Sequence, residues 1–392
     1  MILSVNQWKL VRHQENLFVT SVPGAGKTRV VQAKAVQEAA RATDSPFRIA
    51  CLTYTNAAAA ELSRRILPGL RDDARDRVFI GTIHSFCISE IMKPHAGRLG
   101  ELLHGHEVAT PEHPAVEAII EELLGRQPTA KDLKSFGEVA RSEDGRPEPH
   151  SDLQPEIISL YWDEMLRKGM VDFSGVLFCS KEILRQNADV AGSVADSFSW
   201  FLIDEYQDTS PAQLRVLSAI ATSGQCKWML IGDFNQSIFG FNGVSRAELE
   251  AFSTQRGCAR ARLVNSYRCR PAIATQATNL LPIPRLKSME AELQGEVLQS
   301  EGDVAVCVRA FLRALRKRSI PVSSAAIIAS ARWVLEDSIS ALAQLQSSIP
   351  WSAQFRFSGL SSIAYAVSSV LACAYHPDCA EHITSAIAEL QG

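Results

Sequence analysis

Short apolar runs alternate with amphipathic stretches along the N-terminal part of the chain, and that alternation sets the expected architecture. Residues 16–20 form a run of β-formers. A turn rich in glycine and proline follows, and residues 29–41 then carry Ala, Gln, Lys and Val at helical spacing. The same unit recurs: the apolar run 48–53 precedes the alanine-rich stretch 57–66, and 78–81 leads into another helical stretch. Repeated strand and helix units of this length predict an α/β protein with a parallel sheet covered on both faces. From about Cys87 to Met170 the pattern turns to helices joined by polar segments such as 142–150, with no convincing strand, which reads as a helical insertion. Apolar strands resume at 200–203 and 227–231, so the pieces on either side of the insertion are expected to build one sheet. Beyond about Arg262 a third region is expected, with a strand at 325–329, a helix at 333–345 and a buried helix at 363–375. At 312–318 the residues Arg313, Arg316 and Lys317 share one helical face, ordinarily a solvated face but one able to meet phosphate.

Length and charge narrow this picture only a little. A chain of 392 residues exceeds one ordinary hydrophobic core and favours two or three domains. A net charge of −3, from 40 basic and 43 acidic residues, excludes a general polycation. Any nucleic-acid contact must therefore come from local basic stripes and stacking aromatics. Nine cysteines without a CxxC pair fit a reducing cytoplasm and argue against a disulfide framework. Cys373, His376, Cys379 and His382 match no common zinc spacing and are not read as a ligand set. The first residues lack the apolar run of a signal peptide, and 363–375 is too short to span a bilayer, so no membrane association is expected.

Candidate chemistry sits at the ends of the expected strands. In Ser21-Val22-Pro23-Gly24-Ala25-Gly26-Lys27-Thr28 the two glycines let backbone N–H groups approach an anion, and the following helix directs its positive end at the same place. Lys27 would reach the β and γ phosphates of ATP, and Thr28 would offer its hydroxyl to Mg2+. The strict signature wants glycine where Ser21 stands; a small residue still allows the loop. A second, acidic half of the site is expected at another strand end, and Phe201-Leu202-Ile203-Asp204-Glu205 supplies it. Asp204 would hold Mg2+, and Glu205 would orient and deprotonate the attacking water. Two adjacent carboxylates also open ordinary helices, but here an apolar strand leads directly into them.

With both halves in hand, the intervening strings resemble the UvrD/Rep/PcrA family of superfamily 1A helicases, with the motifs in family order from Gln7 to about Arg268. Thr53-Tyr54-Thr55-Asn56-Ala57-Ala58-Ala59 looks like motif Ia, and Gly81-Thr82-Ile83-His84-Ser85-Phe86 like the next DNA-contacting motif. Asp204-Glu205-Tyr206-Gln207-Asp208-Thr209 is similar to motif II, Gly232-Asp233-Phe234-Asn235-Gln236-Ser237-Ile238-Phe239-Gly240-Phe241 to motif III, and the segment ending in Tyr267-Arg268 to motif IV. The resemblance implies a RecA-like P-loop NTPase domain at 1–86 and 172–261, a helical insertion at 87–171, and a partial second RecA-like domain at 262–392. It implies that Gln7 reads the adenine edge and Tyr267 stacks on the ring, while Pro23, Gly24, Ala25, Gly26 and Arg29 line the nucleotide beside Lys27 and Thr28. Gln236 would sense the γ-phosphate, and Arg268 would reach it from the second domain. Tyr54, Phe239 and Phe241 would stack on bases, although each aromatic alone is more often core. Thr53, Asn56, Thr82 and His84 would lie near the strand.

The implied function is an ATP-dependent 3′–5′ helicase or translocase on single-stranded DNA or a single-strand/duplex junction. The alternative is an ATP-gated DNA-binding or regulatory subunit with little turnover. Motifs V and VI are not found, and Phe241 and Asn242 replace the usual Trp and Arg of motif III. The expectation is thus a truncated or partner-dependent motor, completed by a second motor domain or a nuclease. The resemblance leaves repair, recombination and phage defence open as settings, the last because the chain also resembles the short UvrD-like helicases that accompany nucleases in defence systems such as Gabija.

Overall fold

In a computed structural model, residues 3–41, 47–99, 107–237, 245–280, 287–289 and 302–321 are described, with single positions at 297, 300, 324, 325, 327, 337 and 338. The chain divides into two compact units, Met1–Glu296 and Val297–Gly392.

The first unit is organised by the strands β1 (Leu17–Ser21), β2 (Arg48–Thr53), β3 (Val78–Thr82), β4 (Glu107–Val108), β5 (Met170–Val171), β6 (Phe198–Ile203), β7 (Lys227–Gly232) and β8 (Ala259–Leu263). Six of these form one sheet in the order β3-β2-β6-β7-β1-β8, with every neighbouring pair parallel. The strands on the far side of the insertion, β6 and β7, slot between β2 and β1, so a single sheet is built from both pieces, as the pattern predicts. Their near-continuous apolar sequences follow from burial on both faces. One face packs Val19, Ile49, Cys51, Leu202, Met229 and Ile231 beneath α1 (Val5–Arg12), α2 (Lys27–Arg41) and α3 (Asn56–Ile66). The other packs Phe18, Ala50, Leu52, Phe201, Ile203 and Leu230 against the helices Phe173–Gln186, Ala188–Asp196 and Pro211–Ala221.

β8 escaped the hydrophobic pattern because it is an edge. Ala259, Arg260 and Arg262 are exposed, and only Leu263 is buried. What makes it a strand is its ladder with β1, from Leu17↔Ala259 to Ser21↔Leu263.

The residues between β3 and β6 gather their own core of Ile119, Ile120, Phe136, Ile158, Tyr161, Trp162 and Met165, supplied by the helices Pro114–Leu124, Ala130–Gly137 and Pro155–Arg167. The expectation of no strand here needs a small correction. β4 and β5 pair in parallel over two residues, Glu107↔Met170 and Val108↔Val171, where the chain enters and leaves this core. The exit is pinned by Asp172, which accepts from Trp162 Nε1 at 2.7 Å and caps the next helix through Gly175 N–H at 2.6 Å. The Arg141 guanidinium lies 3.6 Å from the Trp162 ring centre.

In the second unit the helix Val304–Lys317 begins at the cap Asp303 and buries Val308, Leu312 and Leu315, with Ala325 and Ile327 packed against them. The expected strand at 325–329 and helix at 333–345 lie mostly outside the described residues; the helix at 363–375 and the Cys373–His382 cluster lie wholly outside them. Among the described residues no helix is long and apolar enough to cross a membrane.

Double-sided burial of the sheet makes its largest aromatic a stringent test. Trp228 is 1% exposed, stacks on Phe201 at 4.6 Å and meets Phe252 edge-on at 5.5 Å. Trp228→Ala should destabilise the first unit by about 3–5 kcal/mol, read as a lower urea midpoint. A loss below about 1 kcal/mol would mean that the site relaxes freely and is not close-packed.

Candidate functional site

Parallel strands deliver their following loops to one end of the sheet. Here β1 delivers the glycine-rich loop, β6 delivers Asp204 and Glu205, and β7 delivers Asp233. Gly24 and Gly26 have φ of +73° and +79°, a region where side chains are strained. Space requires glycine as well. A Cβ on Gly24 would stand 2.6 Å from both Arg268 Cβ and Ser266 Oγ, and one on Gly26 would stand 2.7 Å from Gln7 Nε2. Ser21 turns out to hold the loop's root: its buried hydroxyl donates to the Gly232 carbonyl at 3.1 Å, joining the ends of β1 and β7. A glycine there would lack that bond.

Two contacts bring the phosphate loop and the acidic strand end together. Lys27 Nζ lies 2.6 Å from Glu205 Oε2, and Thr28 Oγ1 donates to Asp204 Oδ2 at 3.0 Å. Asp204 is buried, and loss of solvation, with the Glu205 charge second, pushes its carboxyl up to about 6. Asp208 is likewise raised to about 6 by burial and then by Glu205, and burial raises Asp233. A buried carboxylate beside a hydroxyl is a hard-oxygen donor set of the kind Mg2+ takes, and a divalent cation would offset the charge that burial leaves exposed to its neighbours. Thr28 and Asp204 therefore fit the metal role.

The turn that presents Glu205 is itself unusual. Glu205 has φ 53° in the left-handed region, a conformation that costs a non-glycine residue about 1–2 kcal/mol. It is held by its neighbours: Glu205 N–H donates to Asp204 Oδ1 at 3.0 Å, and Gln207 Nε2 donates to Glu205 Oε2 at 2.8 Å. The same Gln207 amide donates to Asp208 Oδ2 at 2.9 Å, and its oxygen accepts from Asp233 N–H at 2.8 Å. Asp233 Oδ2 in turn accepts from Gln236 Nε2 at 2.8 Å. A continuous polar chain thus runs from Lys27 through Glu205, Gln207 and Asp233 to Gln236. Gln207, Asp208 and Asp233 were not singled out from the sequence; the available signal was the rest of the Asp-Glu-Tyr-Gln-Asp string and the Gly-Asp that opens the following one.

The remaining expected residues divide. The segment after β8 lies on the loop, since Tyr267 N–H donates to the Gly24 carbonyl at 2.9 Å. Tyr267 is half-buried and Arg268 exposed; Pro23 is half-buried, Ala25 buried and Arg29 exposed. Gln7 is beside the loop, but its amide is engaged: Oε1 accepts from Ser4 N–H at 2.9 Å and Nε2 donates to the Ala25 carbonyl at 2.9 Å. In this structure it braces the loop.

Of the residues expected near DNA, Thr53 and Thr82 lie inside the fold. They are register partners at the ends of β2 and β3, and both are buried. The Thr82 hydroxyl caps the next helix by accepting from Ser85 N–H at 3.1 Å, so neither threonine presents its hydroxyl to solvent. Asn56 is exposed in the first turn of α3, and Tyr54 is half-buried. The His84 ring meets the exposed Phe173 edge-on at 5.4 Å, and burial pushes its imidazole down to about 4. Phe239 and Phe241 lie outside the described residues.

The UvrD/REP helicase N-terminal domain family matches residues 3–256. The chain is similar to DNA helicase II of Haemophilus influenzae, 28% identical over 312 residues that cover 74% of this chain and 40% of that protein. It is also similar to the ATP-dependent DNA helicase PcrA of Leuconostoc citreum, 25% identical over 243 residues covering 58% and 32%. The PcrA of Staphylococcus aureus is 24% identical over 267 residues, covering 64% and 36%. The chain spans about a third to two-fifths of the length of these curated relatives.

Two measurements probe this geometry. Gly24→Ala combines a disfavoured φ with overlap on Ser266 and Arg268, about 1–3 kcal/mol of local strain, and should weaken binding of a fluorescent ATP analogue; undiminished affinity would sink the cradle. His84 should titrate near about 4 in the native state against 6.5 for a free imidazole. It is then neutral in both folded and unfolded chains above 6.5, and stability falls as pH drops from there through about 4. His84→Gln should lose less stability over that window, and a native NMR midpoint near 6.5 would contradict the burial.

Proposed function

The chain belongs to the UvrD/REP helicase family, and from that premise we propose that it is the ATP-binding part of a motor that moves 3′–5′ along single-stranded DNA. The observation that carries this reading is the meeting of Lys27 and Thr28 with Glu205 and Asp204 at the end of one sheet. In the same proposal, 1–86 with 172–261 form the nucleotide domain, 87–171 the insertion, and 262–392 part of a second motor domain. The cleft is completed by a second motor domain or a nuclease partner.

ATP would enter over the Gly24–Gly26 loop. Lys27 then exchanges Glu205 for the β and γ phosphates, a swap of one anion for another that leaves the lysine paired throughout. The exchange frees one face of the Glu205 carboxylate, while Gln207 still holds it in its strained turn. Glu205 can then accept the proton of a water attacking the γ-phosphorus, as the bond to the bridging oxygen of ADP breaks. When bound between Thr28 and Asp204, Mg2+ would draw off charge from the phosphate oxygens. Arg268, carried on the segment that lies against Gly24, is proposed to meet the γ-phosphate, and Tyr267 to stack on adenine. Gln236 is proposed to report the loss of the γ-phosphate along the Gln207–Asp233 hydrogen bonds. Phe239 and Phe241, which follow it in sequence, are proposed to hold bases together with Tyr54, Asn56 and His84.

The test separates binding from turnover. Glu205→Gln should keep affinity for a fluorescent ATP analogue while lowering oligo-dT-stimulated hydrolysis by about 100-fold or more, the contribution of a positioned general base. Lys27→Ala should lose the binding itself. Wild-type protein that binds ATP but shows no stimulation by oligo-dT would overturn the translocase and leave the ATP-gated binding subunit.

A further inference from the structure

The helix Val304–Lys317 in the second unit has two unlike faces. Its apolar side, Val308, Leu312 and Leu315, is buried against Ala325 and Ile327. Its outer side carries Arg309, Arg313, Arg316 and Lys317 at positions i, i+4, i+7 and i+8, which fall in one stripe of a helix. From Val304 to its C-cap Arg318 the segment holds five basic residues and no acidic one, in a chain whose net charge is −3. Arg313, Arg316 and Lys317 are exposed and Arg309 is half-buried. Among the described residues none of the four forms an ion pair with a carboxylate. The nearest acid in sequence, Asp303, uses its carboxylate to cap the helix through Val306 N–H at 2.7 Å.

Like charges massed this way repel one another, with no carboxylate beside them such as Asp132 gives Arg126 and Glu164 gives Arg167. We propose that this stripe is a docking surface for the phosphate backbone of duplex DNA, distinct from the single-strand path assigned to the strand ends of the first unit. A rigid row running about 12 Å from Arg309 to Lys317, at 1.5 Å per residue, suits a regular array of anions. A duplex offers one charge per about 3.4 Å of axis on each strand. Two rival occupants fit less well. Single strands are held by cations interleaved with stacking rings, and the helix's one aromatic, Phe311, packs toward the apolar cluster instead. An anionic membrane surface needs an apolar face to insert, and that face is already covered by this unit's own residues.

The experiment uses the full chain with Arg309, Arg313 and Arg316 all changed to Gln, and with all three changed to Lys as the charge-retaining control. Binding is followed by fluorescence anisotropy on a short blunt duplex and on oligo-dT across a salt series. The Gln variant should bind duplex at least about tenfold more weakly near 0.1 M salt, with the slope of log affinity against log salt reduced by about 3. The Lys variant should keep the wild-type duplex affinity, because phosphate contacts need charge more than fork geometry. Oligo-dT binding, ATP-analogue binding and the thermal midpoint should not change, which separates this surface from the motor site and from misfolding. The proposal is overturned if wild-type protein binds no duplex, if the Gln variant binds duplex unchanged, or if it loses oligo-dT equally. It is also overturned if polyglutamate or phosphatidylserine vesicles bind the wild type more tightly than duplex does.

Discussion

The Lys27–Glu205 ion pair joins the loop after β1 to the loop after β6 across 178 residues of chain, and the rest of the site is arranged around it. Its partner contact, Thr28 to Asp204, does the same one residue later on the first segment and one residue earlier on the second. Both depend on sheet order. With β7 alone standing between β6 and β1, the loops that leave them open onto the same crevice. Electrostatically the crevice is not at rest. Asp204, Glu205 and Asp208 share one lysine, and two of the three carboxyls are raised to about 6 by burial and by Glu205. Such a cluster adds little to stability when empty, and it favours whatever brings positive charge. Stability must therefore come from elsewhere, from the two apolar layers that clamp the sheet.

Much of this was legible in the sequence because buried parallel strands and phosphate loops leave strong local marks. The five interior or long strands read as apolar runs, and the expected limits fell within a residue or two of the observed ones. Features decided by long-range contact were not legible. β8 is a strand only through its pairing with β1, and its Arg-rich sequence says nothing of that. Lys34 and Glu38 stand four apart on α2, a spacing typical of a surface pair, yet they are 1% and 6% exposed. Lys34 Nζ lies 3.9 Å from the Trp200 ring centre, and burial pushes the lysine down even with Glu38 beside it. Only the course of β6 beneath α2 reveals why those charges are inside.

The same distinction runs through the site. The motif strings fall at the ends of the strands, but the contacts of each side chain depend on what the fold puts next to it. Thr53 and Thr82 stand opposite one another at the ends of adjacent strands and are buried, and the Thr82 hydroxyl is taken up in capping the next helix. Gln7 is close to the nucleotide loop, yet it serves as part of a capping box for α1 and as a brace on Ala25. Ser21, which looked like a flaw in the signature, is a tie between β1 and β7. A motif fixes residue type and place; burial and hydrogen-bond partners then decide which atoms remain free.

Gln207 shows how such partners can connect function across the molecule. Its single amide touches the carboxylate that faces Lys27, the buried Asp208, and the backbone that opens the loop after β7. It is 2% exposed, so none of these bonds competes with water. In the proposed exchange, a Lys27 that left Glu205 for a phosphate would take away one of the two donors to the shared Glu205 oxygen and leave Gln207 as its principal restraint. Movement of Glu205 would then pull on the Gln207 amide nitrogen, while the oxygen of the same amide accepts from Asp233 N–H and Asp233 in turn accepts from Gln236. Under the proposed function, a buried amide with these partners inside the site is thus a mechanical link: it would convert a phosphate at one strand end into a force on the loop at the next.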